Sequence, residues 1–153
     1  MRDKFQNLAI ELSWDHKPTR PDEKERIRKK GGKIERLLDK NKQPVGPYRI
    51  WEDEEGPGIT MTRSMGDFAS KRIGLISTPE ISHIELTKDD IFTIIASDGV
   101  WDIMNSAEAC GYVRKQLNMM KANPGLKIDL GASLCQICRE KWDALNQAKH
   151  EAK

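Results

Sequence analysis

Two carboxylates stand where chemistry is expected. In Ile91-Phe-Thr-Ile-Ile-Ala-Ser-Asp-Gly-Val-Trp-Asp-Ile-Met104 an apolar, β-branched run ends at Ser97-Asp98-Gly99, and a helix-like segment follows. The pattern reads as a buried strand that brings Asp98 to its C-terminal end and then turns sharply at Gly99. Aspartate is a poor strand residue, so its place there points to a site. Asp102 lies four residues further on. Two hard oxygen ligands at that spacing suit Mg²⁺ or Mn²⁺ better than a soft metal. Asp98 is equally consistent with a plain cap on the following helix, and the stretch alone leaves both readings open.

Other reactive residue types carry weaker signals. Cys135 and Cys138 form a Cys-x-x-Cys pair, which can be a redox pair or half of a zinc site. However, Leu134, Ile137, Cys138, Trp142 and Leu145 follow helical spacing, as a buried helix face would. No second Cys/His pair lies nearby to complete four zinc ligands. The acids Glu52 to Glu55 are adjacent in a loop and read as solvated rather than convergent on an ion. Ser64 and Ser97 lack the Gly-x-Ser-x-Gly setting of a nucleophile. His16 is of the type that can serve as a general acid, while His83 and His150 have no evident partner. Trp101 reads as core. Between His16 and Lys42 there are 11 Lys/Arg against 5 Asp/Glu. That is either an anionic-ligand surface or, as preferred here, a solvated helix face with i,i+4 pairs such as Asp22–Arg26.

The elements that position these residues follow from periodicity and turn chemistry. Leu8 to Trp14 reads as a short strand. Thr19-Arg-Pro-Asp22 starts a helix, with Pro21 near its first position, and Gly31-Gly32 ends it. Gly32 to Leu38 and Tyr48 to Trp51 read as strands separated by turn-rich Asn41 to Pro47. Ile59 to Arg63 and Leu75 to Leu86 are strand-like, and Asp89-Asp90 turns the chain into the central strand. Ser106 caps a helix with Ala109, Cys110, Val113 and Leu117 on one face. A final helix runs from about Leu130 to Lys149. Strands in the middle and helices at the end give an α+β pattern.

Size and composition bound the function. A chain of 153 residues, 33% charged and 37% hydrophobic, is read as one soluble domain with a real core. No apolar run reaches membrane-span length, and no signal-peptide core follows Met1-Arg-Asp-Lys4. A net charge of +2 argues against a dedicated nucleic-acid binder. Three cysteines, an odd number, fit free thiols in a reducing compartment. The expected location is therefore intracellular, in cytoplasm or nucleus.

Ala96-Ser-Asp-Gly-Val-Trp-Asp102 resembles a signature of the metal-dependent protein phosphatases, the type 2C serine/threonine class. Two further blocks resemble that family in its order. Upstream are Asp15-His-Lys-Pro18, Glu25-Arg-Ile27 and Gly31-Gly32. In the middle are Ile59-Thr-Met-Thr-Arg-Ser-Met-Gly-Asp67 and Thr78-Pro-Glu80. The likeness covers roughly Leu8 to Leu117 and, more weakly, the last helix. Val45 to Trp51 is most similar to members from plants and protists.

The resemblance implies part of a four-layer α/β/β/α sandwich with two antiparallel sheets, incomplete in this chain. It implies hydrolysis of phosphoserine and phosphothreonine in a phosphoprotein substrate, with two or more Mg²⁺ or Mn²⁺ ions in the complete domain. It assigns Asp98 as a direct metal ligand and Asp102 as a carboxylate of the outer shell or of an extra metal. Asp15 becomes the ligand of an additional, weaker site, with a strand-end cap as the alternative. Gly99, Arg63 and Asp67 become structural residues near the site, Arg63 and Asp67 as an ion pair or loop clamp. His16 is structural, because the family's phosphate-site histidine belongs to a different motif.

The departures from the family matter as well. Its Asp-Gly-His-Gly-Gly motif, its phosphate-binding arginine and its closing Asp-Asn motif have no match. Residues 1–153 are thus expected to be one partial catalytic domain, with the catalytic residues upstream of Met1 and the last strand missing. Such a chain is expected to be inactive alone, and uncovered sheet edges predict self-association. The alternative is a pseudophosphatase or regulatory binding module of the same fold.

Overall fold

The computed structural model of the protein describes residues 9–53, 56 and 58–151. These form two compact units, Ser13–His83 and residues 9–12 with 84–151.

In the Ser13–His83 unit, α1 spans Pro21–Lys29, with Pro21 at its start and Asp22 in its first turn. Gly31, at φ +83°, ends it in the left-handed region that glycine tolerates best. Gly32 is needed for a different reason: a Cβ there would stand 2.7 Å from the Ile27 side chain. The expected Asp22–Arg26 pair does not form. Asp22 turns back to Arg20, and Arg26 binds Glu23 one turn earlier.

An antiparallel hairpin follows, β1 Lys33–Leu38 and β2 Pro44–Trp51, with Ile34 opposite Ile50 and a register shift between Arg36 and Leu37. The turn is shorter than the sequence implied. Asp39 Oδ1 accepts from the amides of Asn41 and Gln43, both at 2.8 Å. This closes the loop early and leaves residues 44–47 free to pair. Ile27, Ile50, Ile73 and Leu75 form the core, with Ile34 and Ile59 packed against it. The expected strand at 59–63 is reduced to isolated bridges, Ile50 to Ile59 and Arg63 to Ile76. Residues 77–83 carry no ladder. A single turn, α2, spans Phe68–Lys71.

The second unit is built on α3 Asp98–Trp101, α4 Ser106–Ala122 and α5 Leu130–Glu151. Val100, Met104, Ala109, Val113, Leu134 and Cys138 make its core. The cap of α4 is Asn105, not Ser106: Asn105 Oδ1 accepts from the Glu108 amide, and the Glu108 carboxylate accepts from the Asn105 amide, each at 2.9 Å. This reciprocal box satisfies two donors of the first turn.

The buried central strand expected at 91–97 is corrected. The segment belongs to no ladder among the described residues, and its exposure alternates. Phe92, Ile94 and Ala96 pack on the core, whereas Ile95 is 94% exposed. Successive side chains of an extended chain point to opposite faces, so a segment packed on one side buries only half of them. Residues 9–14, also expected as a strand, carry no ladder either, and Leu8 lies outside the described residues. Helices combined with an antiparallel pair make the class α+β, with one two-stranded sheet among the described residues.

Candidate functional site

Asp98 is the first residue of α3. The cap before it is Ser97, in an extended conformation and without a side-chain cap bond. Among the described residues no hydrogen bond or ion pair engages the Asp98 or Asp102 carboxylate, so Asp98 does not cap the helix. The Asp102 amide donates to the Asp98 carbonyl at 2.8 Å. The two carboxylates therefore share one helical turn, both exposed.

The sharp glycine turn expected at Gly99 is a helical turn instead. A Cβ on Gly99 would meet nothing closer than Ser97 Oγ at 3.6 Å, an ordinary contact. Gly99 contributes its carbonyl, which accepts from Trp142 Nε1 at 3.1 Å. Trp101, expected in the core, is partly exposed and donates its Nε1–H to the Ala96 carbonyl at 2.8 Å. Two indoles thus hold the backbone before and after Asp98.

Asp15 belongs to the Ser13–His83 unit. Its side chain is 70% exposed, with Lys17 Nζ at 3.8 Å. Its backbone is fixed on both sides. Arg20 Nη1 donates to the Trp14 carbonyl at 3.0 Å, and the Thr62 amide donates to the His16 carbonyl at 2.9 Å. Arg20 also forks onto Glu80 at 2.6 and 2.7 Å and onto Asp22 at 2.8 and 2.9 Å. Its guanidinium lies 4.4 Å from the centre of the Trp14 ring, a cation–π distance. His16 Nε2 lies 3.0 Å from Glu80 Oε2. The Arg20 and His16 bonds hold the Glu80 pKa down to about 2, against a smaller upward push from burial.

Arg63 does form an ion pair, but not with Asp67. Its guanidinium donates to Glu23 Oε1 at 2.6 and 3.1 Å and to the Thr78 carbonyl at 3.1 Å. Glu23 is fully buried and also accepts from Arg26 and from the Thr62 hydroxyl. Burial alone would raise its pKa. The bonds from Arg26, Arg63 and Thr62 outweigh that and hold Glu23 far below the ordinary glutamate range. Asp67 is exposed, in the left-handed region at φ 56°, and makes no side-chain cap on α2. Glu23, Thr62, Arg20 and Glu80 went unnoticed in the sequence as a network. The available signal was Glu23 itself, one helical turn before the buried Ile27 on the same face.

The Cys-x-x-Cys pair takes the helix-face role: Cys138 is buried beside Met104 Sδ at 3.6 Å, and Cys135 is exposed. Among the described residues no three His, Cys, Asp or Glu side chains converge as a metal-binding group.

The family description Protein phosphatase 2C matches residues 5–147. Probable protein phosphatase 2C 48 of Oryza sativa subsp. japonica is 41% identical over 115 residues, covering 74% of this chain and 31% of that protein. Probable protein phosphatase 2C 73 of Arabidopsis thaliana is 39% identical over 116 residues, covering 75% and 30%. The chain thus spans about a third of the length of these relatives. The crystal structure of a serine-threonine phosphatase 2C from Toxoplasma gondii superposes with a TM-score of 0.69 at 26% identity, covering 88% of this chain and 42% of that one. The three motif blocks, the fold and these likenesses converge: the chain belongs to the protein phosphatase 2C family.

Proposed function

We propose that this chain supplies part of the catalytic machinery of a Mg²⁺- or Mn²⁺-dependent protein serine/threonine phosphatase acting on phosphoproteins. The observation that carries the reading is the Asp98–Asp102 pair, two exposed carboxylates on one helical turn that no described side chain engages. Hard, uncommitted oxygen donors fit a divalent ion that keeps several waters. Bound there, such ions supply charge neutralisation at the phosphoryl oxygens and acidify the attacking water. The part of the protein is to hold the donors in place. Trp101 on the Ala96 carbonyl and Trp142 on the Gly99 carbonyl fix the backbone that carries Asp98.

A second reading has its own support. Two carboxylates satisfy only a minority of six coordination positions, and no third His, Cys, Asp or Glu converges on them among the described residues. We therefore infer that this chain alone is catalytically inert, as a regulatory binding module of the same fold would also be. Three free thiols support a reducing, intracellular setting. The bare side of the 84–96 segment favours self-association.

The test is a Mn²⁺ titration of the chain followed by paramagnetic broadening of its amides, with p-nitrophenyl phosphate turnover measured in parallel. The expected result is weak, selective broadening around Asp98 and Asp102, abolished by Asp98→Asn, with negligible turnover. Broadening that survives Asp98→Asn would remove the ligand role, and substantial turnover would show that further ligands are dispensable.

A further inference from the structure

The outer face of α4 carries a shallow groove. The helix packs Ala109 and Val113 into the core of its unit. On the opposite side Gly111, Arg114, Lys115, Asn118, Met119 and Ala122 line the groove, because the helical period brings these positions to one face. Gly111 forms its floor. It lies inside the 17-residue helix, where glycine is the poorest former after proline. Its φ is not in the left-handed region, and a Cβ there would meet nothing within 4 Å. The described chain thus gives no packing reason for a missing side chain at this position. The charges point the same way. Between Glu108 and Asp129 there are four cations and no acid. Lys121 has a local reason, since the helix dipole favours a cation in the last turn of α4. Arg114 and Lys115 stand in mid-helix, exposed, and among the described residues no carboxylate engages them.

We propose that this face of α4 docks an acidic, amphipathic helix of a partner protein. Carboxylates of that helix pair with Arg114 and Lys115, its small residues cross over Gly111, and an apolar residue meets Met119, which is 42% exposed. Helices approach most closely where the contact residues are small, and methionine adapts its shape to a partner. The uncompensated cations set the sign of that partner. Other occupants fit less well. Single-stranded nucleic acid needs stacking aromatics beside the cations, and the one aromatic residue of α4, Tyr112, turns to Ser133, its hydroxyl 2.6 Å from Ser133 Oγ. A bilayer takes a broad apolar face, and Met119 is the only large apolar side chain lining the groove. The docking face uses none of the residues of the metal reading, so the two are tested independently.

The experiment uses the whole 153-residue chain and three synthetic helical peptides of the length of α4. Each is built from alanine and leucine, with glutamate, glutamine or lysine as its polar residue. Binding is read from amide chemical shifts. The glutamate peptide should move the amides of residues 111–123, less so at high salt, and the other two should leave them in place. Arg114→Glu with Lys115→Glu should weaken binding roughly 10-fold or more, because like charges then face each other. Lys40→Glu with Lys42→Glu changes the net charge equally at the exposed hairpin turn and should leave binding nearly unchanged. Gly111→Leu fills the groove and should also weaken binding roughly 10-fold. Gly111→Ala should raise the melting temperature and still weaken binding, which separates docking from stability.

If Gly111→Leu fails to fold, the charge reversal at Arg114 and Lys115 decides alone. An absence of shifts with the glutamate peptide, or shifts confined to other elements, would overturn the docking face. Folded variants that bind this peptide as the wild type does would overturn it too. Tighter binding of phosphatidylserine vesicles or of a single-stranded oligonucleotide at residues 111–123 would assign the face to another class of partner and sink the proposal. Self-association that Gly111→Leu abolishes would make a second copy the occupant, with the same consequence.

Discussion

At the residue scale the molecule treats its acids in two ways. Asp98 and Asp102 are exposed and engaged by no described side chain, whereas Glu23 and Glu80 are committed to guanidinium groups. The committed pair makes stability depend on pH with a definite sign. Both have folded-state pKa values below the ordinary 4.5, Glu80 at about 2 and Glu23 lower still. Their stabilisation is complete above the ordinary value and is lost as pH falls through the folded values. Glu80 is partly exposed, so solvent screening reduces its share. The melting temperature should hold down to about pH 4.5 and then fall toward about pH 2. Glu23→Gln should flatten that fall and cost about 3 kcal/mol at neutral pH by leaving two guanidinium groups short of their partner. Thermal melting across this range checks both, and an unchanged slope in the variant would assign the dependence elsewhere. The Asp98–Asp102 pair was legible in the sequence because an aspartate at the end of a β-branched run conflicts with its surroundings. Glu23 was not, because an acid in a first helical turn already has a local reason to be there. Its partners Thr62 and Arg63 lie 39 and 40 residues away.

At the element scale, helices were the readable part. The start of α1 at Pro21, the faces of α4 and α5 and the start of α5 at Leu130 follow from local patterns. The cap of α4 was misplaced by one residue, since Asn105 and Ser106 are both good caps and only the backbone decides between them. Asn105→Ala should therefore destabilise the chain by about 1 kcal/mol, while Ser106→Ala should cost only a few tenths. Chemical denaturation of both variants reads the difference, and the reverse order would return the cap to Ser106. Strands were read less well, because a strand needs a partner that its own sequence does not name. The two strands of Lys33–Trp51 are neighbours in the chain and were both readable, although β2 begins at Pro44 rather than at Tyr48. Residues 91–97 have the right composition yet join no ladder among the described residues.

At the scale of the whole molecule, each unit has its own small apolar core, and much apolar surface remains bare. Ile95 is 94% exposed beside Phe92, Ile94 and Ala96, which pack inward, and Leu86 is 75% exposed. Exposed large apolar side chains drive association where they cluster. The chain should self-associate with rising concentration, and Leu86→Lys with Ile95→Lys should restore the monomer without lowering the melting temperature. Sedimentation measures this, and a wild-type chain that stays monomeric would remove the prediction. By itself the sequence determined the long helices α1, α4 and α5, most of the two strands β1 and β2, and the family. All of these rest on short-range patterns or on residues adjacent in the chain. Only the tertiary structure decided that Arg63 pairs with Glu23 rather than with Asp67, that Glu80 closes on Arg20, and that the backbone around Asp15 is held from both sides. Apart from Arg20 with the Trp14 carbonyl, those contacts join residues tens of positions apart, and burial, which has no local signature for a charged side chain, selects among the possible partners.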